Sequence, residues 1–511
     1  MEHCGAVRRS VAAGFACVAA GLLLITACRP AEEPSPPPDV NVVLISVDTL
    51  RADRLNCYGY EKREVSPNVD ALAADGILFE NFITSSPWTT PAHLTMLTSL
   101  YPTTHGVTQP IEELKDSLLE GKEFTFNSLP DSRVTLAEVL KACGYATGAF
   151  TGGGTLDPRI GFGQGFDHYE ISMYKLHGSN MRDMYEWVGR HAEQPFFLFW
   201  HTYEVHAPYL ESTFLDEVLP PDAAAEAGRF LRVSAGVGDQ RSRKADEHED
   251  TIRRCKEFLR SRHAFTAEVT GALYDGGIRS FDDWLGRFVQ ELRSRGLYEG
   301  ALIILTSDHG EEFGEHNPQC IYQNHGHSVY EEMIRVPLII KLPDQRHGGT
   351  RVGSAVRMID VMPTVLDMLG IQRRPKDMQG LSLRSLWEKP ETQEDRLAIT
   401  EALIQMSEKK AVRTGRYKFI YSLDADTVAQ HGRSYMPKTL RLKDVELYDL
   451  DIDSAEKTNL LRFSPSLKIA KLAATLERHL RDFVAEAHGR ADTVELDEET
   501  VRNLKALGYL E

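Results

Sequence analysis

Apolar positions along this chain follow two patterns. In the first part they come as runs without regular alternation: Val42 to Val47, the strand-like Tyr145 to Phe150, Pro195 to His201, Ala301 to Ser307 and Val336 to Ile340. Short runs without alternation predict strands buried on both faces, as in a parallel sheet covered by helices. Between them, Val134 to Gly144 has helical spacing with a glycine stop, and Ser280 to Leu292 is amphipathic. Beyond about Asp395 the pattern shifts to alternation. Val412 to Ser422 and Thr439 to Leu450 predict shorter antiparallel strands, followed by a charged helix over Ser466 to His488. Leu504 to Leu510 predicts a short docking helix. Glu211 to Arg262 is charged and weakly periodic around the Pro220-Pro221 break, and reads as a variable insertion over the surface. The fold class is therefore α/β, with a large, mainly parallel central sheet sandwiched by helices. A smaller C-terminal α+β subdomain carries a short antiparallel sheet.

The N-terminus adds an address. Arg8 and Arg9 precede an apolar run, Val11 to Ala27, that is short for a membrane-spanning helix. Its end, Ile25-Thr26-Ala27-Cys28, resembles a bacterial lipobox. Residues 1–27 are then a lipoprotein signal peptide, and Cys28 is the lipidated first residue. Residues 28–40 are a Pro-rich tether, 41–394 the large α/β domain and 395–511 a C-terminal subdomain with its tail. The expected location is the bacterial cell envelope, on the periplasmic or outer-membrane face, held to the membrane by an N-terminal lipid anchor. With 511 residues, 42% of them hydrophobic, the chain can bury a large core. A net charge of −17 excludes nucleic acid as a bulk electrostatic partner. A small anionic ester remains open as substrate, because a metal and local His or Lys can invert the field inside a site. Cys57, Cys143, Cys255 and Cys320 show no metal spacing and no obvious pairing, and read as structural.

Chemistry-bearing residues sit at the ends of the apolar runs. Asp48 closes the first, where open α/β sheets place their ligands. Thr89 stands two positions before Pro91, at the start of a helical segment. Its hydroxyl lies near unpaired N–H groups and the positive end of the helix dipole. Such a position suits a helix cap, and equally a nucleophile that must carry an anionic group. His201, Glu204 and His206 follow the third run. Asp308 and His309, at the end of the fourth, are a ready pair of metal ligands, with His325 and His327 shortly after.

With these residues laid out, the chain resembles the sulfatase family of the alkaline phosphatase superfamily from Asn41 almost to its C-terminus. Thr89-Thr90-Pro91-Ala92-His93 with Leu97-Thr98-Ser99-Leu100-Tyr101-Pro102 is similar to the family signature Cys/Ser-x-Pro-x-Arg followed by Leu-Thr-Gly. Asn41 to Gly59, Gly165-Phe166-Asp167, Asp308-His309-Gly310, Asp360 to Gly370 and Leu447-Tyr448-Asp449-Leu450 are further landmarks. The resemblance implies an alkaline phosphatase-like fold and a divalent metal ion held by Asp48, Asp308 and His309, bridged by Thr89. It also implies catalytic roles for Thr89, for His206 and for a basic residue at or near His325 or His327, contacting the anionic ester group. His93, in the place of the signature Arg, and His201 and Glu204, at the end of a buried strand, are substrate-binding candidates.

Two departures shape the expected chemistry. The family's second Asp is Thr49 here, and His309 stands where Asn is usual. Fewer carboxylates and one imidazole favour Mn²⁺ or Zn²⁺, with Ca²⁺ possible. Threonine carries a methyl on the carbon that becomes the formylglycine aldehyde, so no formylglycine is expected, and His93 replaces the signature Arg. The sequence thus points to a hydrolase or transferase of phosphodiester or phosphonate type on a sulfatase scaffold. A true sulfatase is the first alternative, and a non-catalytic surface lipoprotein that only binds in the cleft is the second.

Overall fold

Strand β1 (Val42–Val47) is buried along its whole length because it lies inside an eight-stranded sheet. The computed structural model describes residues 39–495 except 109–124, 173–178, 237–244, 263, 323, 390–393, 404–406, 432–435 and 487–488. The signal peptide, Cys28, most of the tether and the Leu504–Leu510 segment lie outside the described residues. The other strands up to the end of this sheet are β2 (Ile77–Ile83), β3 (Thr125–Ser128), β4 (Ala146–Gly152), β5 (His168–Ser172), β6 (Phe196–Thr202), β7 (Leu302–Thr306), β8 (Arg335–Lys341) and β9 (Thr350–Arg357). All but β3 join the sheet, in the order β5-β4-β6-β1-β7-β8-β2-β9.

Strand β1 pairs in parallel with β6 and β7, β4 with β5 and β6, and β2 with β9. Strand β8 alone is inverted, antiparallel to both neighbours. The inversion matters for function. The chain leaves β7 at the C-terminal edge of the sheet and returns directly down β8, so the ends of the connection between them lie on that edge.

The apolar runs without alternation follow from burial on two sides, since alternate side chains of a strand point to opposite faces. Val42, Leu44, Phe197, Phe199 and Ile304 enter one core, while Val43, Ile45, Leu198, Trp200 and Ile303 enter the other. Helices α1 (Pro67–Asp75), α4 (Ser179–Arg190), α5 (Pro221–Gly236), α6 (Ala245–Ser261) and α7 (Ala267–Ser294) contribute to the second core. Helices α2 (Thr89–Thr98), α3 (Leu136–Ala142) and α8 (Val361–Met368) contribute to the first. Helix α3 starts with a reciprocal cap, the Thr135 hydroxyl accepting from Glu138 N–H and the Glu138 carboxylate from Thr135 N–H.

The charged 211–262 segment is not a surface loop throughout. It holds α5 and α6, whose Leu231, Cys255 and Leu259 are buried in the second core, with Phe230 stacked on Phe258 at 4.3 Å. The C-terminal part forms an antiparallel sheet, β10 (Ala398–Ala402), β11 (Glu408–Arg413), β12 (Tyr417–Leu423) and β13 (Val445–Asp449), in that order. The apolar stretch from Val412 to Ser422 thus spans two strands and the turn between them. Helix α9 (Leu467–Glu486) buries Ala473, Leu476 and Leu480 against this sheet. Strand β14 (Asp492–Glu495) pairs with β3.

Candidate active site

Four segments deliver side chains to the C-terminal edge of the sheet: the ends of β1, β6 and β7, and the start of α2. The turn after β1 is tight. Thr49 adopts a left-handed backbone, φ 60°, a conformation that a β-branched residue takes only under constraint. Its N–H points at Asp308 Oδ1 (3.3 Å), its hydroxyl donates to the Asp48 carbonyl (2.7 Å), and its carbonyl accepts from the Tyr274 hydroxyl (2.7 Å). After β7, Gly310 passes so close to the next segment that a Cβ there would meet the Glu332 carbonyl oxygen at 1.9 Å. Only glycine fits.

Thr89 is the first residue of α2. Trp88 is the N-cap, and its side chain makes no capping hydrogen bond. The Thr89 hydroxyl instead donates to Asp48 Oδ2 at 3.2 Å and lies 3.3 Å from His309 Nε2. His309 Nδ1 faces the Gly310 carbonyl at 2.9 Å, which assigns the proton to Nδ1 and leaves the Nε2 lone pair aimed at Thr89 and at Asp308 Oδ2, 3.3 Å away. Asp48, Asp308 and His309 are fully buried, with ligand-type atoms within 4.8 Å of one another.

These residues fit a divalent cation. Asp48 Oδ1 and Asp308 Oδ2 are buried and make no hydrogen bond among the described residues. Two adjacent buried carboxylates cannot both ionise without a counter-charge. Burial, and then the Asp308 charge, push the Asp48 carboxyl well above its usual range. Burial also pushes Asp308 up, but His309, His93 and His201 together outweigh it and hold Asp308 well below its usual range. The pair therefore keeps one proton at a position where a cation would serve both. Two carboxylates, an imidazole lone pair and a hydroxyl form a donor set that fits a divalent cation.

The remaining histidines have distinct settings. His93 is held at both nitrogens, Nδ1 by the Thr89 carbonyl (2.9 Å) and Nε2 by Ser46 Oγ (2.8 Å). Through these two bonds it links the first turn of α2 to the end of β1. His201 accepts Gly152 N–H at Nδ1 (3.3 Å) and brings Nε2 to 3.5 Å from Asp48 Oδ2. His206 donates from Nδ1 to the Ala207 carbonyl (2.7 Å), and its buried Nε2 makes no hydrogen bond among the described residues. Burial, aided by His325, pushes His206 down to about 3, so it is neutral.

The His325 ring lies between those of His206 and His309, with centroids 5.2 and 4.6 Å away. Its Nδ1 is 3.1 Å from Glu311 Oε1. Glu311 is a site residue that the sequence reading misses. Its buried carboxylate also accepts from Asn324 N–H (2.5 Å) and the Tyr209 hydroxyl (2.8 Å). Burial pushes Glu311 up, yet His325, His206 and these bonds bring it down to about 2. The one hint in the sequence is the acidic doublet that follows Asp308-His309-Gly310. Two expected residues are turned elsewhere: His327 to Glu312 (2.8 Å), and Glu204 to Ser280 of α7 (2.6 Å).

A mainly parallel sheet whose C-terminal edge gathers two carboxylates, an imidazole and a hydroxyl at a helix N-terminus places its chemistry where open α/β sheets bind their ligands. A family model described as Sulfatase matches residues 40–371, and one described as N-sulphoglucosamine sulphohydrolase, C-terminal, matches 325–486. The chain belongs to the sulfatase family of the alkaline phosphatase superfamily, whose members are hydrolases of sulfuric or phosphoric ester bonds. It is similar to an ulvan-active sulfatase of Formosa agariphila, 25% identical over 408 residues, covering 76% of this chain and 73% of that protein. It is also similar to the multifunctional alkaline phosphatase superfamily protein PehA of Trinickia caryophylli, 27% identical over 419 residues, covering 67% and 76%. The fold matches the crystal structure of a phosphonate monoester hydrolase of Agrobacterium radiobacter, with a TM-score of 0.59, 20% identity and coverage of 88% and 96%.

Proposed function

We propose that Thr89 is the nucleophile of a metal-dependent hydrolase, or transferase, of phosphodiester- or phosphonate-type esters. The observation that carries this reading is the Thr89 hydroxyl, 3.2 Å from Asp48 Oδ2 and 3.3 Å from His309 Nε2, on a carbon that cannot become an aldehyde. A bound Mn²⁺ or Zn²⁺, favoured over Ca²⁺, would lower the pKa of a coordinated hydroxyl and neutralise the ester oxygens. Asp48, Asp308 and His309 would hold it.

The steps then fall to this chain's own residues. Thr89 Oγ gives its proton to Asp48 and bonds to phosphorus, while the bond from phosphorus to the leaving alcohol breaks. His325, oriented by ionised Glu311, protonates the departing oxygen. Water next attacks the phosphothreonine, giving a proton back to His325, and Thr89 leaves with the proton held at Asp48. The N–H groups at the start of α2 lie where the transferring group gathers charge. A sulfuric ester hydrolase is the second reading, favoured by the ulvan-active relative. It would require a sulfated threonine in place of formylglycine chemistry.

The test is a parallel assay of aryl sulfate, phosphomonoester, phosphodiester and phosphonate on metal-loaded protein. Phosphodiester or phosphonate turnover at least about 10-fold above that of sulfate is expected, a barrier difference of about 1.4 kcal/mol. Aryl sulfate as the best substrate would sink the phosphoryl reading. For location, the lipobox supports a lipid anchor at Cys28 on the envelope face. Cys28→Ala should release the protein or leave it unprocessed, and unchanged membrane attachment would overturn the anchor.

A further inference from the structure

His201 is the last residue but one of β6 and lies level with Ser46 of β1. Strand β6 pairs with β1 on one side and β4 on the other, so the sheet itself sets what the two ring nitrogens meet. The N–H of Gly152, at the end of β4, donates to His201 Nδ1 at 3.3 Å. The Nδ1 lone pair is thereby used, and the ring proton sits on Nε2. Nε2 cannot then be a metal ligand. It is buried, makes no hydrogen bond among the described residues, and faces Asp48 Oδ2 at 3.5 Å. His93, whose ring packs edge-to-face on that of His201 at 4.9 Å, offers it no acceptor, because its Nδ1 meets the Thr89 carbonyl and its Nε2 meets Ser46 Oγ. A fully buried donor without a partner calls for an explanation. The reaction proposed above assigns His201 no step.

We propose that His201 is a positioning residue for the cation of Asp48, Asp308 and His309: its Nε2–H holds Asp48 by Oδ2 and leaves Oδ1 to the cation. The proposal rests on the reading of that cluster as a metal site. A carboxylate that ligates a metal is itself hydrogen-bonded from outside, and that outer bond fixes its direction. The two Asp48 oxygens already differ in this sense. Oδ1 makes no hydrogen bond among the described residues, whereas Oδ2 accepts from Thr89. Thr89 cannot hold Asp48 throughout the reaction, because its hydroxyl proton leaves as its oxygen bonds to phosphorus. His201 forms and breaks no covalent bond, so it can hold Asp48 at every stage. Oδ2 has two lone pairs, enough for the His201 N–H and the Thr89 proton together.

The experiment titrates Mn²⁺ into metal-free full-length protein and follows the free ion by electron paramagnetic resonance. Wild type should take up one equivalent. His201→Phe, which keeps a ring but has no N–H, should need at least about 10-fold more Mn²⁺. His201→Gln, whose amide carries an N–H to a similar reach, should stay within about 3-fold of wild type. A role in packing alone predicts the reverse order, with Phe tolerated and Gln impaired, and that result would overturn the proposal. Wild-type affinity in His201→Phe, or equally weak binding in both variants, would overturn it too. At saturating Mn²⁺, His201→Phe should keep the wild-type KM for the best substrate of the parallel assay. A raised KM at unchanged Mn²⁺ affinity would make His201 a substrate contact instead. No uptake of Mn²⁺ by wild type would defeat the metal-site reading itself, and the proposal with it. Should His201→Phe not fold, His201→Leu, smaller and equally without a donor, is measured in its place.

Discussion

Ser46 Oγ and His93 Nε2 lie 2.8 Å apart, while the other nitrogen of the same ring meets the Thr89 carbonyl at 2.9 Å. One imidazole thus ties the first turn of α2 to the end of β1, the two elements that supply Thr89 and Asp48. Removing the tie should loosen the nucleophile without removing it. Ser46→Ala is expected to cost about 1 kcal/mol of stability, the worth of one hydrogen bond. It should lower turnover by about 10-fold at unchanged KM, as loss of an orienting partner does. Steady-state kinetics decide, and a change confined to KM would mean that His93 contacts substrate after all.

Thr89→Ala should abolish turnover with the cation still bound, and Thr89→Ser should keep a part of it. Because the side chain does not cap α2, neither variant should lose the roughly 1 kcal/mol of a broken N-cap. Mass analysis of wild type quenched during phosphodiester turnover should place a phosphoryl adduct on the peptide containing Thr89. Near wild-type rates in Thr89→Ala would make water the direct attacker.

Asp308→Asn keeps the oxygen that accepts from His309 N–H but removes one charge from the buried pair with Asp48. In the metal-free variant the Asp48 carboxyl should titrate closer to its usual range, since the Asp308 charge that adds to burial in raising it is gone. The variant should also hold one equivalent less cation and be inactive. Infrared titration of the Asp48 carboxyl with parallel metal analysis tests both halves. An Asp48 carboxyl left as far above its usual range as in metal-free wild type would contradict the electrostatic account.

Acid should weaken the fold through His105. It is fully buried, accepts Val107 N–H at Nδ1 (3.2 Å) and faces the Pro91 carbonyl at Nε2 (3.3 Å). Burial pushes it down to about 3 from the usual 6.5. Between these values the unfolded chain takes up a proton that the folded one refuses. Stability from this group is complete above 6.5 and falls as pH drops toward 3, by at most about 1.4 kcal/mol per pH unit. Urea melts across that window should show a shallower slope for His105→Asn, at lower stability near neutrality. An equal or steeper slope would assign the acid sensitivity to other groups.

Legibility in the sequence tracks how local each cause is. The strands ending in Asp48 and in Asp308-His309 can be read because burial on two faces writes an apolar run without alternation, and the carboxylate marks its end. Thr89 is found through the proline after it. The direction of β8 has no local signature, since Val336 to Ile340 would look the same in either orientation. Glu311 needs the fold to carry His325 onto it from 14 positions away. The first half of α7 is hidden by glycines, where a Cβ at Gly276 would meet the Glu211 carbonyl at 2.7 Å and one at Gly277 the Glu204 carbonyl at 3.1 Å. Close packing between elements, not helix propensity, chose those residues. In α5 and α6 charged residues interrupt the apolar ones and hide their period.

The bond between Thr49 N–H and Asp308 spans 259 positions of sequence. Strand β1 is made long before β7, one of its two neighbours in the sheet. Until then β1 keeps an open apolar edge, a hazard for association with other chains. Parallel pairing over such a distance is intrinsically slow. The same delay is protective, because no fragment ending before His309 can assemble the cluster around Thr89. Reactivity therefore waits for β7 and for Asp308 and His309 just beyond it.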